Sequence, residues 1–255
     1  MIRREARLFV CAVQFLTRIP TPQLAGFQPE WIQQSARYYP LVGQLVGGTA
    51  ALVLYGAAQV WSPWIAALLA VAAGVVLTGG FHEDGLADTA DGLGGGLTRA
   101  RRLEIMKDSR LGSYGALALG LTLALRAATL AALAQFSPFF SAVALLAAHG
   151  LGRAAAVGAM TVMPYGGDPG MAKEGRPDRA SLLGLTVAVL IALWPLVFFS
   201  PATGAGGLAL GLAFGAVPAW LAWRLIGGRT GDVLGAVEQA FEVGFLLAVA
   251  GMAVG

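Results

Sequence analysis

Apolar residues in this chain come in long runs separated by short polar stretches. Runs of roughly 17–25 apolar residues have the length of an α-helix that crosses a bilayer. They fall at 39–59, 64–81, 113–135, 139–163, 180–199, 204–223 and 239–254. The last run is short and carries Glu242. The pattern predicts about seven transmembrane helices in one all-α polytopic bundle, a single membrane domain over residues 1–255.

Three of the connections have no charged residue and contain Ser-Pro: Ser62-Pro63, Ser137-Pro138 and Ser200-Pro201. Serine at the N-cap and proline at the first helical position are start signals for a helix. These connections therefore read as tight turns between antiparallel helices. Ahead of the first run, Leu8–Leu16 is apolar but is followed by Arg18 and Pro20, with no small-residue cleavage site. An amphipathic helix lying on the inner interface fits this pattern better than a signal peptide does.

Composition agrees. Hydrophobic residues make up 57% of the chain and charged residues only 12%, about half the ~25% of a soluble domain. Such a chain cannot clothe a water-facing surface, and lipid is the surface that requires no charge. The 36 glycines sit mostly inside the apolar runs, where small residues let membrane helices approach closely. Cys11 is the only cysteine, so an internal disulfide and a thiolate metal site are both excluded.

The position of the charges says more than their sum of +3. Arg3, Arg4, Arg7, Arg18 and Arg37 precede the first run, and Arg99, Arg101, Arg102, Lys107 and Arg110 follow the second. Lys173, Arg176 and Arg179 follow the fourth, and Arg224 and Arg229 follow the sixth. Charged and uncharged connections alternate strictly. Because Lys and Arg collect in cytoplasmic loops, the alternation predicts a cytoplasmic N-terminus, and it places the carboxylates on the cytoplasmic side.

The densest acidic stretch begins where the second run ends: Phe81-His82-Glu83-Asp84-Gly85-Leu86-Ala87-Asp88-Thr89-Ala90-Asp91-Gly92. Asp84, Asp88 and Asp91 stand at i, i+4 and i+7, within about 60° of one another on a helix. Three carboxylates on one face repel unless a cation lies among them. Hard oxygen ligands suit Mg²⁺, with Mn²⁺ as the second candidate. His82 points nearly opposite and reads as a proton-transfer group or phosphate donor. Gly85 and Gly92 weaken a helix, so the shared face requires that the fold tolerate them.

Two further blocks suit phosphate. Lys107, Asp108, Ser109 and Arg110 crowd donors and an acid just before the third run. Gly227-Gly228-Arg229-Thr230-Gly231-Asp232 combines flexible backbone with an arginine, a hydroxyl and an acid, and Glu238 and Glu242 follow on one helical face. Arg126 and Arg153 lie inside apolar runs, and His149 is one turn before Arg153. Charges there must face the bundle interior or a wet cavity, so Arg153 reads either as an anion ligand or as a structural arginine. Carboxylates for a divalent metal, with arginines nearby, are the outfit of a phosphoryl or phosphodiester transferase.

The polar blocks resemble those of a known family. Residues 79–92, Glu104-Ile105-Met106-Lys107-Asp108-Ser109-Arg110-Leu111-Gly112 and Gly228-Arg229-Thr230-Gly231-Asp232-Val233-Leu234-Gly235-Ala236 are similar, in order, to the signatures of the cobalamin (5′-phosphate) synthases, or adenosylcobinamide-GDP ribazoletransferases. Phe15-Leu16-Thr17-Arg18-Ile19-Pro20 and Tyr39-Pro40-Leu41-Val42-Gly43 fit as well.

The resemblance implies a Mg²⁺-dependent transferase of cobalamin biosynthesis. It would join adenosylcobinamide-GDP to α-ribazole or its 5′-phosphate and release GMP. It would act at the cytoplasmic face of the cell inner membrane. It implies Asp84, Asp88 and Asp91 as metal ligands, with Asp232 adding or orienting a ligand, and His82 as general base. Lys107, Arg110 and Arg229 would bind phosphates, and Glu83 ranks below the aspartates; the reading of the residues themselves adds Arg153 and Thr230 as substrate-binding candidates. The lipid bilayer is a partner, and a homo-oligomer or an association with other corrinoid enzymes is compatible with the sequence. No nucleic-acid partner is expected.

Two alternatives stand beside this one. A CDP-alcohol phosphotransferase also uses membrane-face aspartates, but its Ala-Arg pair is missing after Asp84-Gly85 and the acids here are too closely spaced. A transporter would place its charged groups near the midplane, on broken helices within repeats.

Overall fold

The structure is a computed structural model that describes residues 2–167 and 179–254. Lys173 and Arg176 lie outside the described residues, as does the side chain of Arg179. Among the described residues the fold is all-α, with a single isolated β-bridge between Tyr165 and Arg229. The helices are α1 (Ile2–Leu16), α2 (Glu30–Ser35), α3 (Tyr39–Ala57), α4 (Pro63–Thr78), α5 (Phe81–Gly95) and α6 (Arg99–Ile105). They are followed by α7 (Ser113–Phe136), α8 (Pro138–Val162), α9 (Arg179–Leu193), α10 (Pro201–Ile226) and α11 (Gly231–Val254).

Among the described residues, six helical segments are long and apolar enough to cross a bilayer, seven if the bent pair α4–α5 counts as one span. The three Ser-Pro turns open α4, α8 and α10, each with proline in the first turn. Ser137 and Ser200 accept the backbone N–H of Phe140 and Thr203, while Ser62 makes no such bond. The last span is longer than hydropathy predicts, starting at Gly231 rather than at 239. Glu238 and Glu242, which truncate the apolar run, are wholly buried within the bundle. They are therefore interior groups and do not stand at the cytoplasmic face, where the charge pattern places every carboxylate.

The α8 and α11 helices form the centre, and the main core gathers Leu54, Leu130, Leu145, Phe241, Phe245 and Leu246. Small residues set the spacing. A Cβ at Gly207 or Gly211 of α10 would stand 2.7 or 2.9 Å from the rings of Phe245 or Phe241 on α11, as small-residue packing between membrane helices requires. The α9 helix tightens into a 3₁₀ turn at Trp194–Phe198. Pro195 has no N–H for the Ile191 carbonyl. The Gln44 side chain supplies the missing donor at 2.7 Å and accepts from the Trp194 indole.

The α1 helix is present as predicted, and its stripe of Leu8, Cys11, Ala12 and Leu16 is buried. Ala12, Val13 and Leu16 pack against Ala36, Tyr39 and Val42, so protein covers much of this apolar face.

Candidate active site

A corner between α4 and α5 builds the site. Gly79 and Gly80 both take φ of +70°, the left-handed region that a side chain rarely enters. Gly80 N–H bonds the Val75 carbonyl and Gly79 N–H the Val76 carbonyl, closing a Schellman cap. The Arg18 backbone N–H takes the Leu77 carbonyl at 2.8 Å, and the Arg18 side chain lies over Gly79. The chain turns by 89° and re-enters a helix at Phe81.

The acidic segment is helical without interruption from Phe81 to Gly95. Gly85 and Gly92 are tolerated because each is a contact point. A Cβ at Gly85 would lie 2.9 Å from the backbone oxygen of Asp232, and one at Gly92 would meet the side chain of Met106 and the Arg102 carbonyl. A Cβ at Gly235 of α11 would stand 3.1 Å from the His82 carbonyl oxygen. These contacts press α5 against the start of α11 and bring Asp84 and Asp88 into the company of Asp232, a residue 144 positions after Asp88 in sequence.

Asp88 shows the effect. Its partly buried carboxylate stands among the like charges of Asp84, Asp232 and Asp91. Asp232 is steadied by the Thr230 hydroxyl, which donates to it at 3.3 Å and also accepts the Val233 N–H. Asp91 is on the predicted face but its oxygens are engaged. They accept the N–H groups of Gly112 at 2.7 Å and Gly115 at 2.9 Å. Asp91 thus caps the N-terminus of α7, where a negative charge is also favoured by the helix dipole.

His82 is buried, turned from the acids as the helical spacing predicts, and packs edge-on against Phe81. Arg229 is anchored through Nε to the Met160 carbonyl at the end of α8. Arg110 pairs with Asp108, which that bond holds down to about 2. Lys107 follows α6 and is also partnered. Arg99 and Arg102, which read in the sequence as plain loop charge, have specific tasks. Arg99 bonds the carbonyls of Ile226 and Gly166, and Arg102 that of Leu225. Both close the C-terminal end of α10.

Beneath α5 lies a polar network that the sequence did not assemble. Arg126 of α7 donates to Glu83 at 3.2 Å and to Gln239 at 2.9 Å, and is ion-paired with Glu242 at 2.9 Å. Arg153 of α8 bonds Glu238 at 2.7 Å and the His149 carbonyl at 3.0 Å. His149 Nδ1 stands 2.8 Å from Glu242, and Gln239 donates to both Glu83 and Glu238. Arg126, Arg153, Glu238 and Glu242 are at most 2% exposed. The available signal was that two arginines inside apolar runs need counter-charges, and Glu238 and Glu242, one turn apart at the start of the last run, are acids that could meet them.

Among the described residues, the one trio whose ligand atoms all lie within 4.8 Å of each other is His149, Glu238 and Glu242. Its carboxylates already pair with the guanidiniums of Arg126 and Arg153, so their charge is met within the bundle. Asp84, Asp88 and Asp232 do not converge so tightly, yet they form an all-oxygen set of like charges. That is the chemistry a hard divalent ion relieves.

Comparison with known proteins gives a consistent answer. The sequence model of the cobalamin-5-phosphate synthase family matches residues 8–250. An adenosylcobinamide-GDP ribazoletransferase of Leptothrix cholodnii is 49% identical, over 94% of this chain and 93% of its own length. Proteins of the same name from Azorhizobium caulinodans and Shewanella piezotolerans are 45% and 44% identical, with coverage of 93% or more on both sides. No solved structure matches. A match of this extent sets aside the CDP-alcohol phosphotransferase and transporter alternatives. This chain, with its three polar blocks gathered at one end of a membrane bundle, belongs to the cobalamin-5-phosphate synthase family.

Proposed function

We propose that this protein transfers a ribazole unit onto adenosylcobinamide-GDP and releases GMP, a closing step of cobalamin nucleotide-loop assembly. The reading rests on the family match together with the meeting of Asp84, Asp88 and Asp232 on α5 and α11. In this reaction the ribazole 3′-hydroxyl oxygen attacks the phosphorus next to the cobinamide arm. The bond from that phosphorus to the bridging oxygen breaks, GMP leaves with the bridging oxygen, and the hydroxyl proton passes to solvent or a nearby carboxylate.

Asp84, Asp88 and Asp232 are the residues that would hold Mg²⁺ or Mn²⁺. When bound, the ion supplies charge neutralisation at the pyrophosphate and its leaving oxygen. The chain's own groups position the reactants. Arg229, anchored by its Nε, keeps its Nη donors for a phosphate, and Lys107 and Arg110 lie on the approach between α6 and α7. Asp91 in this reading fixes α7 against α5. His82 and Arg153 hold the bundle beneath the site. The charged end of the bundle is assigned to the cytoplasmic face of the cell inner membrane, where nucleotide-activated substrates occur.

The test uses the purified full-length protein with adenosylcobinamide-GDP, α-ribazole 5′-phosphate and Mg²⁺. Corrinoid product and stoichiometric GMP are expected. Absence of both from a monodisperse preparation overturns the assignment. Full turnover in excess EDTA overturns the metal reading alone.

A further inference from the structure

The face of α5 opposite the acids is not closed by protein. Leu86, Ala90 and Leu93 of α5 form one wall of a cavity of about 540 Å³, and α10 and α11 form the others. Its lining is apolar, with a single polar side chain, Thr89. Thr89 is only 3% exposed and its hydroxyl has no hydrogen-bond partner. A buried hydroxyl without a partner costs free energy, so the cavity is suited to an occupant that is mostly apolar and brings one acceptor.

The geometry says which occupant. The α10 wall runs from Phe214, the midpoint of that helix, to Leu225 at its charged-loop end. That stretch is roughly 16 Å long at about 1.5 Å per residue, close to the ~15 Å hydrocarbon depth of one leaflet. The outer residues of this wall face the bilayer: Val217 is 55% exposed, and Trp220 beside it is 51% exposed. Arg224 follows Val217 and Leu221 at i+7 and i+3, so it stands at the charged-end rim of the same face. There it stacks on Trp220 at 5.1 Å, as aromatic and basic residues do at headgroup level.

We infer that this cavity is a binding site for one anionic glycerophospholipid. An acyl chain fills it along α10, the ester carbonyl accepts from Thr89, and the phosphate meets Arg224. The site goes beyond the transfer reaction and does not depend on it. The lipid packs the side of α5 that protein leaves open, directly behind Asp84 and Asp88.

The experiment places the full chain in phosphatidylglycerol nanodiscs containing a small share of phosphatidylglycerol with a mid-chain diazirine. After irradiation, adducts are mapped by mass spectrometry. Adducts are expected to concentrate on residues 86–94 and 214–225, well above the equally lipid-facing Leu117 and Leu121 of α7. Two variants fill the cavity from different walls, Ala90→Phe and Leu221→Trp. Each should cut labelling of the two segments several-fold while leaving Leu117 and Leu121 unchanged. Labelling that merely follows exposure, or that persists in both variants, overturns the site. Cross-links from 86–94 to a second copy of the chain would assign the cavity to an oligomer interface and overturn it too. The readout needs no turnover, so its failure leaves the transfer reading untouched.

Discussion

Asp84, Asp88 and Asp91 share a helical face, but their oxygens are differently committed. Asp91 already accepts two backbone N–H groups of α7, whereas Asp88 is crowded by like charge. Substitution should separate them. Asp88→Asn or Asp84→Asn is expected to lower turnover on the order of 100-fold or more, because charge stabilisation at the phosphates is lost. Thermal stability in detergent should hold or rise. Asp91→Ala should instead lower stability by about 1–2 kcal/mol through loss of the α7 cap. Steady-state kinetics and thermal melts on the same preparations distinguish the two outcomes, and equal loss of stability in all three would contradict the division. The like charge on one face was legible from spacing alone. That Asp91 meets Gly112 and Gly115 was not, because those amides arrive from a helix that begins some twenty residues later.

The contact between α5 and α11 operates at the level of elements. It depends on Gly85, where a methyl group would come within about 3 Å of Asp232 backbone. Gly85→Ala should therefore force the helices apart, cost ~1–3 kcal/mol and reduce turnover by displacing Asp84 and Asp88 from Asp232. Gly120→Ala is the control. It has open space around its Cβ position and should be neutral or stabilising by up to ~1 kcal/mol. The network under α5 gives a second prediction. Arg153→Leu leaves Glu238 and Glu242 without a main counter-charge and should destabilise the bundle by about 3–5 kcal/mol, seen as loss of monodisperse protein or a lower melting temperature. Helix spacing predicted α5, and its continuity through Gly85 and Gly92 is explained by the partners those glycines touch.

Across the whole molecule, the charged connections among the described residues gather at one end, and we propose that this end faces the cytoplasm. Leu97, at 93% exposure, follows α5 at that end. Leu97→Cys in a Cys11→Ser background should react with a membrane-impermeant maleimide only after the cells are opened. Reaction in intact cells would invert the orientation drawn from Lys and Arg placement. Chelation tests the molecule as a whole in another way. Turnover should cease in EDTA and return with Mg²⁺, while the helical fold persists, because the bundle is held by apolar packing and by the Arg–Glu network rather than by an ion.

Local pattern carried much of this protein into view. Apolar run length set the spans, Ser-Pro marked three helix starts, and the order of three polar blocks pointed to the family. These features are local because helical periodicity and membrane thickness act on contiguous residues. Tertiary structure decided which polar groups meet. Asp232 joins Asp84 and Asp88, Asp91 turns to α7, and Glu83 joins Arg126 and Gln239 rather than the acids beside it. It also decided that the last span begins at Gly231, because Glu238 and Glu242 are neutralised by arginines from other helices. The reason is the same throughout. In a bundle, the cost of a buried charge is settled by groups distant in sequence, and their meeting is a property of helix packing.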